Sequence, residues 1–97
     1  EIINAASVIE DAGFTIYDDL VHGYGGGYLP PVLGSKSRMN SPVPTMTLEA
    51  GMCLVVQPNV ITPDEKAGVQ TGEMMLITET GSERMHSFPR GLQALSL

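Results

Sequence analysis

The sequence predicts an α+β fold, in which one N-terminal helix is followed by strands that pair mostly antiparallel. Apolar residues recur at helical spacing through residues 2–12, and Gly13 follows where a left-handed C-terminal cap is expected. After Gly13, short runs of β-forming residues alternate with turn-forming Gly, Pro, Asn and Ser, and no segment repeats. With 97 residues, the chain has room for one domain at most.

The first predicted strand is short, and a long loop follows it. Residues 14–17 alternate apolar and polar side chains, which indicates a strand. Asp18, Asp19 and the glycines beyond them predict irregular backbone. The stretch 29–47 holds four prolines together with Gly, Ser and Asn, so we expect it to be a loop throughout.

The second half of the chain contains the main predicted strands. Residues 52–56 form a continuous apolar run, which is typical of a strand covered on both faces, and Pro58 ends it. Residues 69–80 indicate another strand, rich in Met, Leu, Ile and Thr. A turn at 80–82 then leads into a last strand over 83–86.

Charge and composition exclude several classes of partner. The net charge is −6, with 5 Lys and Arg against 11 Asp and Glu, whereas nucleic-acid binding depends on clustered cations. No apolar stretch reaches the length of a membrane span, and no secretion signal is recognisable. Cys53 is the only cysteine, so an intrachain disulfide is excluded and a buried apolar role is favoured. We therefore expect an acidic, cytoplasmic protein that binds neither nucleic acid nor membrane.

A glycine-rich segment in the first third of the chain does not match a phosphate loop. The dinucleotide fingerprint needs a glycine at the position of Tyr28 and a helix where Pro30 and Pro31 stand. Such glycines are more typical of backbone that passes close to a strand, a side chain or a ligand. The glycines concerned are Gly23, Gly25, Gly26 and Gly27.

The polar residues around this segment each allow two interpretations. His22 is either a metal ligand or general base, since imidazole titrates near neutral pH and binds divalent metals, or a solvated loop histidine. Asp18 and Asp19 either join His22 in a metal or acid–base cluster or hydrogen-bond local backbone, and their position favours the turn role. His86 is expected to be a surface or packing histidine.

Three segments resemble motifs of the pita-bread superfamily and occur in the same order along the chain. This superfamily includes methionine aminopeptidase, aminopeptidase P, prolidase and the metal-free creatinase. Residues 21–25 are similar to the family's Gly-His-Gly-Ile-Gly segment, whose histidine is a metal ligand, and His22 takes that position. Residues 51–58 fit the family's Gly-Met-x-x-x-x-Glu-Pro segment, with Gln57 where the metal-binding glutamate belongs. The amide keeps the shape of a carboxylate but loses its charge.

The match continues into the last predicted hairpin, where residues 78–81 are similar to the family's Thr-Glu-x-Gly turn. The family's last glutamate ligand lies six residues before that threonine, which is Gly72 here, and Glu73 is one residue away. Because strand side chains alternate between faces, Glu73 points away from the site unless Gly72 forms a bulge. The family's second histidine has no counterpart near Tyr28, and its two aspartate ligands would precede Glu1.

The resemblance implies that residues 1–97 are a single partial domain, the C-terminal half of a pita-bread catalytic domain. The implied function is a fragment of a metallopeptidase-like hydrolase of the Xaa-Pro peptidase or prolidase type, which acts on a peptide or small amide and is inactive in isolation. The resemblance leaves the cofactor of the parent open, either one divalent metal such as Mn, Fe, Co or Zn or none, and no metal is expected in the fragment. The implied residues are His22 and Gln57 for catalysis, His22 for metal binding, and Tyr24, Tyr28 and Glu73 for substrate binding.

Two alternatives stay open at this point. In the first, a metal-free, creatinase-like hydrolase uses His22 as its acid–base group while Gln57 donates a hydrogen bond to a carbonyl oxygen or oxyanion. In the second, the fold is a non-catalytic binding or assembly module. In every case half of a pita-bread fold leaves an apolar sheet face uncovered, so we expect a homo-oligomer.

Overall fold

A computed structural model of the protein describes residues 1–39 and 42–96. The predicted N-terminal helix forms as two short segments, α1 (Ile2–Ala5) and α2 (Ser7–Asp11), and Ala6 between them keeps right-handed helical angles. Gly13 has a φ of 85°, which is the left-handed conformation that the predicted cap requires. No helix in the described ranges has the length and apolar character needed to cross a membrane.

The strands form two antiparallel sheets. They are β1 (Thr15–Ile16), β2 (Val21–Tyr24), β3 (Tyr28–Leu33), β4 (Cys53–Val56), β5 (Asn59–Ile61), β6 (Gly68–Gln70), β7 (Glu73–Thr78) and β8 (Gly81–Arg84). The larger sheet has the order β3-β2-β4-β7-β8, and the smaller has the order β1-β5-β6. The predicted α+β class, with one helical region followed by mostly antiparallel strands, is confirmed.

Part of the predicted loop over 29–47 is a strand, and the prediction is wrong there. β3 pairs with β2 at the edge of the larger sheet, and a short 3₁₀ helix follows at Lys36–Arg38. The prolines are tolerated because an edge strand can leave backbone groups out of the ladder. The pairing skips them, since His22 is opposite Val32 while Gly23 is opposite Leu29.

The predicted strand over 69–80 is divided between the two sheets. β6 pairs with β5 in the smaller sheet, whereas β7 pairs with β4 and β8 in the larger one. The chain changes sheets at Thr71 and Gly72, so a single continuous strand does not form. The last strand also begins at Gly81, earlier than predicted.

The helical segments pack on one face of the larger sheet, which we call the helix face. Val56 lies on this face beside the core, and Ile2 and Ile9 of the helix pack there too. Since side chains alternate along a strand, His22 and Val55 lie on the opposite face, which we call the outer face. The buried apolar core consists of Ala6, Ile16, Leu20, Val21, Leu33 and Leu54.

Candidate functional site

His22 lies on a central strand, not in a loop as its glycine-rich surroundings suggest. β2 is flanked by β3 and β4, and only 5% of His22 is exposed. Its Nδ1 is 2.9 Å from the carbonyl oxygen of Gly23. A carbonyl oxygen only accepts hydrogen bonds, so Nδ1 donates its proton, and in the neutral ring Nε2 is left as the basic nitrogen.

Tyr28, the first residue of β3, stacks on the His22 ring. The ring centroids are 3.9 Å apart and the planes differ by 20°. The two strands come close enough because Gly23 has no side chain: a Cβ there would lie 2.3 Å from the backbone oxygen of Pro30. Gly23 therefore has the role that the sequence favours for this segment, close passage of backbone beside a strand.

Asp19 and Gln57 form a partly buried polar contact near the start of β2. Asp19 is 1% exposed, and the Nε2 amide of Gln57 lies 3.3 Å and 3.4 Å from its two carboxylate oxygens. The backbone N–H of Gln57 donates to the carbonyl of Leu20 at 2.9 Å, which fixes the end of β4 beside the start of β2. Partial burial of the phenol and, next, interaction with the Asp19 carboxylate raise the pKa of Tyr28 far above its ordinary value.

Four side chains lie around the start of β2: His22 and Tyr28 stack on each other, and the amide of Gln57 donates to Asp19. We call these four side chains the His22 cluster. Three of them are predicted site residues. Asp19 is the residue for which the sequence favours a different role, that of a turn aspartate. The available signal is its place directly before an apolar strand start at Leu20 and Val21, where a polar side chain is drawn into the interior. Tyr24 lies on the outer face with His22 by strand alternation and is 44% exposed.

Glu73 lies on the helix face, so the structure does not bring it together with His22. It is paired with Val56 across β4 and β7, and directly opposite residues share a face. No bulge interrupts this register, and the one-residue offset therefore turns Glu73 away from His22, as strand alternation predicts. The predicted grouping of Glu73 with His22 as a substrate-binding residue has no geometric support.

Glu73 instead forms ion pairs with the end of the chain. Its Oε1 lies 2.7 Å from Arg84 Nη2 and 2.9 Å from Arg90 Nε, and its Oε2 lies 3.7 Å from His86 Nδ1. Hydrogen bonds from Arg84 and then Arg90 lower the pKa of Glu73 below its ordinary value. His86 accordingly belongs to this surface cluster and not to the His22 cluster.

The residues present do not fit the divalent metal site that the resemblance implies. Across residues 1–39 and 42–96, no three His, Cys, Asp or Glu side chains are grouped so as to hold a metal ion. Gln57 is neutral where the family has a carboxylate, Glu73 lies on the other face, and a bridged metal pair needs charged oxygen ligands. His22 keeps Nε2 as a basic nitrogen, which suits proton transfer.

Comparison with known proteins identifies no relative of this chain. No protein-family model matches it, and no curated protein or solved structure gives a match. The resemblance to pita-bread enzymes stays a prediction that depends on the spacing of the three motifs.

Proposed function

We propose that the chain supplies the histidine-bearing part of a metal-free hydrolase site, of pita-bread ancestry, that acts on a peptide or small amide. The single observation that supports this most is the state of His22. The imidazole is buried, its Nδ1–H is donated to Gly23, and Tyr28 covers one face of the ring. A general base needs a fixed ring nitrogen with a free lone pair, and in the neutral imidazole whose Nδ1–H is donated to Gly23 that nitrogen is Nε2.

In this proposal His22 moves the protons of amide cleavage. Its Nε2 takes a proton from the attacking water and returns it to the leaving nitrogen, which is the usual division of labour for a single acid–base histidine. Tyr28 holds the ring by stacking, and Tyr24, which is 44% exposed on the same face, contacts the substrate. The remaining wall of the site comes from the other half of the fold, so the chain by itself does not turn over substrate.

A non-catalytic binding module is the second candidate, and Gln57 favours it. The hydrolase requires a donor for the developing oxyanion, and the sequence assigns that role to the amide of Gln57. That amide is directed at Asp19 instead. If no other donor completes the site, the His22 cluster binds a ligand without cleaving it.

The test uses the parent protein, meaning the longer protein with both halves of the fold that this proposal requires. After chelator treatment, its hydrolysis of Xaa-Pro dipeptides and simple N-alkyl amides is measured. Wild-type protein is compared with His22→Gln and with His86→Gln, the latter a matched control because His86 belongs to the surface cluster. We expect chelator-resistant hydrolysis that falls at least about 100-fold in His22→Gln, in line with loss of a general base, and is unchanged in His86→Gln.

Two outcomes overturn the hydrolase proposal. Hydrolysis that disappears with chelator and returns with a divalent metal identifies the metallopeptidase instead. Absence of turnover, with saturable binding of the same compounds in calorimetry that His22→Gln weakens, identifies the binding module.

A further inference from the structure

The two sheets end in four edge strands, which are β3 and β8 in the larger sheet and β1 and β6 in the smaller one. An edge strand has a row of backbone N–H and C=O groups that no neighbouring strand uses, and these groups can pair with a strand of another chain. Proteins usually block such edges with proline, with charged side chains or by keeping the strand very short. The four edges of this protein differ in this respect.

Three of the edges have features that oppose pairing with another chain. β3 contains Pro30 and Pro31 at its centre, and proline has no backbone N–H to donate. β8 carries Glu83 and Arg84, and pairing of two copies about either residue would place like charges opposite each other. β1 is only two residues long.

β6 has none of these features. It consists of Gly68, Val69 and Gln70, so it contains neither proline nor a charged side chain. All three residues are exposed, and the apolar side chain of Val69 is 65% exposed. In the part of the chain that the structure describes, β5 is the only strand that pairs with β6.

The register of β6 on β5 shows which backbone groups of β6 are available. Residues of an antiparallel ladder alternate between pairs that exchange hydrogen bonds and pairs that do not. The N–H of Thr62 donates to the carbonyl of Ala67 at 2.8 Å, so Ala67 and, two residues further on, Val69 direct their backbone groups toward β5. The N–H and C=O groups of Gly68 and Gln70 therefore point away from β5, to the outside of the sheet.

These outward groups are complementary to those of a second copy that runs antiparallel. When two copies meet about a two-fold axis at Val69, Gly68 of each copy lies opposite Gln70 of the other, and each of these pairs exchanges two hydrogen bonds. The two Val69 residues then form a pair without hydrogen bonds, the kind in which opposite side chains approach most closely. Each exposed valine is covered by its counterpart, and no charge is buried.

We propose that β6 is a pairing site for a second copy of this chain, which joins two three-stranded sheets into one six-stranded antiparallel sheet centred on Val69. The paired segment is short, so we expect the association to be weak and to depend on protein concentration. The contact uses no residue of the larger sheet, and it does not rest on the proposed function.

Disulfide trapping of the isolated chain tests this register directly. In a Cys53→Ala background, which removes the only natural thiol, Val69→Cys places one thiol of each copy at the two-fold axis. The Cα atoms of such a pair lie about 4.5 Å apart, which a disulfide can span. Gln70→Cys is the matched control, because this residue is exposed on the same strand but its Cα would lie about 8 Å from its counterpart, too far for a disulfide.

Both cysteine variants are equilibrated in a glutathione buffer at high protein concentration. We expect at least about 10-fold more disulfide-linked dimer from Val69→Cys than from Gln70→Cys, because only the first pair has the geometry of a disulfide. Both positions are exposed, where substitutions have little effect on folding, so the comparison stands on folded protein. Equal amounts of linked dimer would reflect random collisions and would overturn the proposal.

A second variant tests the hydrogen bonds of the contact. The N–H of Gln70 points away from β5, so Gln70→Pro removes a donor of the proposed contact and leaves the ladder within the chain intact. Added to Val69→Cys, Gln70→Pro should lower the linked dimer to the level of the Gln70→Cys control, whereas Gln70→Ala, which keeps the N–H, should not. Trapping that a folded Gln70→Pro variant leaves unchanged would overturn the proposal. If Gln70→Pro does not fold, the comparison of the two cysteine variants decides alone.

Discussion

At the scale of single residues, Glu73 is an ion-paired carboxylate whose partners lie at the end of the chain. Arg84 and Arg90 both approach Oε1, and their side chains are 33% and 62% exposed. Exposed ion pairs contribute little one by one, but two arginines on one largely covered carboxylate form a small network. Glu73 therefore ties the segment beyond β8 to β7.

Glu73→Gln tests the contribution of these ion pairs through the pH dependence of the stability of the fold. Arg84 and Arg90 lower the pKa of Glu73 below its ordinary value of 4.5, so the carboxylate stabilises the fold above that value and the contribution is lost as pH falls through the lowered pKa. We expect the wild type to lose urea resistance between about pH 5 and pH 3 more steeply than Glu73→Gln. Glu79→Gln, at an exposed position, is the control and should follow the wild type. Equal slopes for wild type and Glu73→Gln would contradict the prediction.

At the scale of elements, the approach of β3 to β2 depends on one glycine. A Cβ on Gly23 would lie 2.3 Å from the Pro30 backbone oxygen and 3.0 Å from that of Leu29. Both obstacles are backbone atoms of a paired strand, so neither can move aside as a flexible side chain does. The skipped register around the prolines and the stacking of Tyr28 on His22 both depend on this approach.

We expect Gly23→Ala to destabilise the fold by about 1–3 kcal/mol, the usual cost of overpacking, and to displace Tyr28 from His22. Urea unfolding measures the first effect, and the NMR chemical shifts of the His22 ring protons measure the second. Gly27→Ala is the matched control, because a Cβ at Gly27 meets no atom within 4 Å. A Gly23→Ala protein as stable as Gly27→Ala would show that β3 does not lie this close to β2.

The same elements show what sequence patterns resolve and what they miss. The helix follows from periodicity and the strand near 52–56 from a continuous apolar run, and both signals depend on local sequence alone. β3 is missed because its prolines are typical of a loop. They are compatible with a strand here because β3 pairs only with β2, at the edge of the sheet. Asp19 is misjudged for a similar reason, since its hydrogen-bond partner Gln57 is distant in sequence. Glu73 shows the limit of a local rule: alternation allows either direction depending on a bulge at Gly72, and because no bulge interrupts the pairing with β4, the expected grouping of Glu73 with the substrate-binding residues lacks geometric support.

At the scale of the whole molecule, the helix face is only partly covered by α1 and α2. An open groove of about 360 Å³ remains between the helical segments and the sheet. Its lining is almost entirely apolar and includes Ile2, Ile9, Leu54, Met75 and Ile77. Apolar surface of this kind favours association, because covering it removes hydrocarbon from water.

We expect the isolated chain to form a homo-oligomer through this groove, most simply a two-fold dimer in which each copy covers the other. Met75→Glu places a charge in the groove and should shift sedimentation velocity profiles toward the monomer, since covering a carboxylate with apolar surface is costly. Met85→Glu is the control, because Met85 is 54% exposed and lies outside the lining of the groove. A wild-type chain that sediments as a monomer at high concentration would contradict the prediction. Equal dissociation of the two variants would instead place the contact elsewhere, because both add the same charge and only Met75 lines the groove.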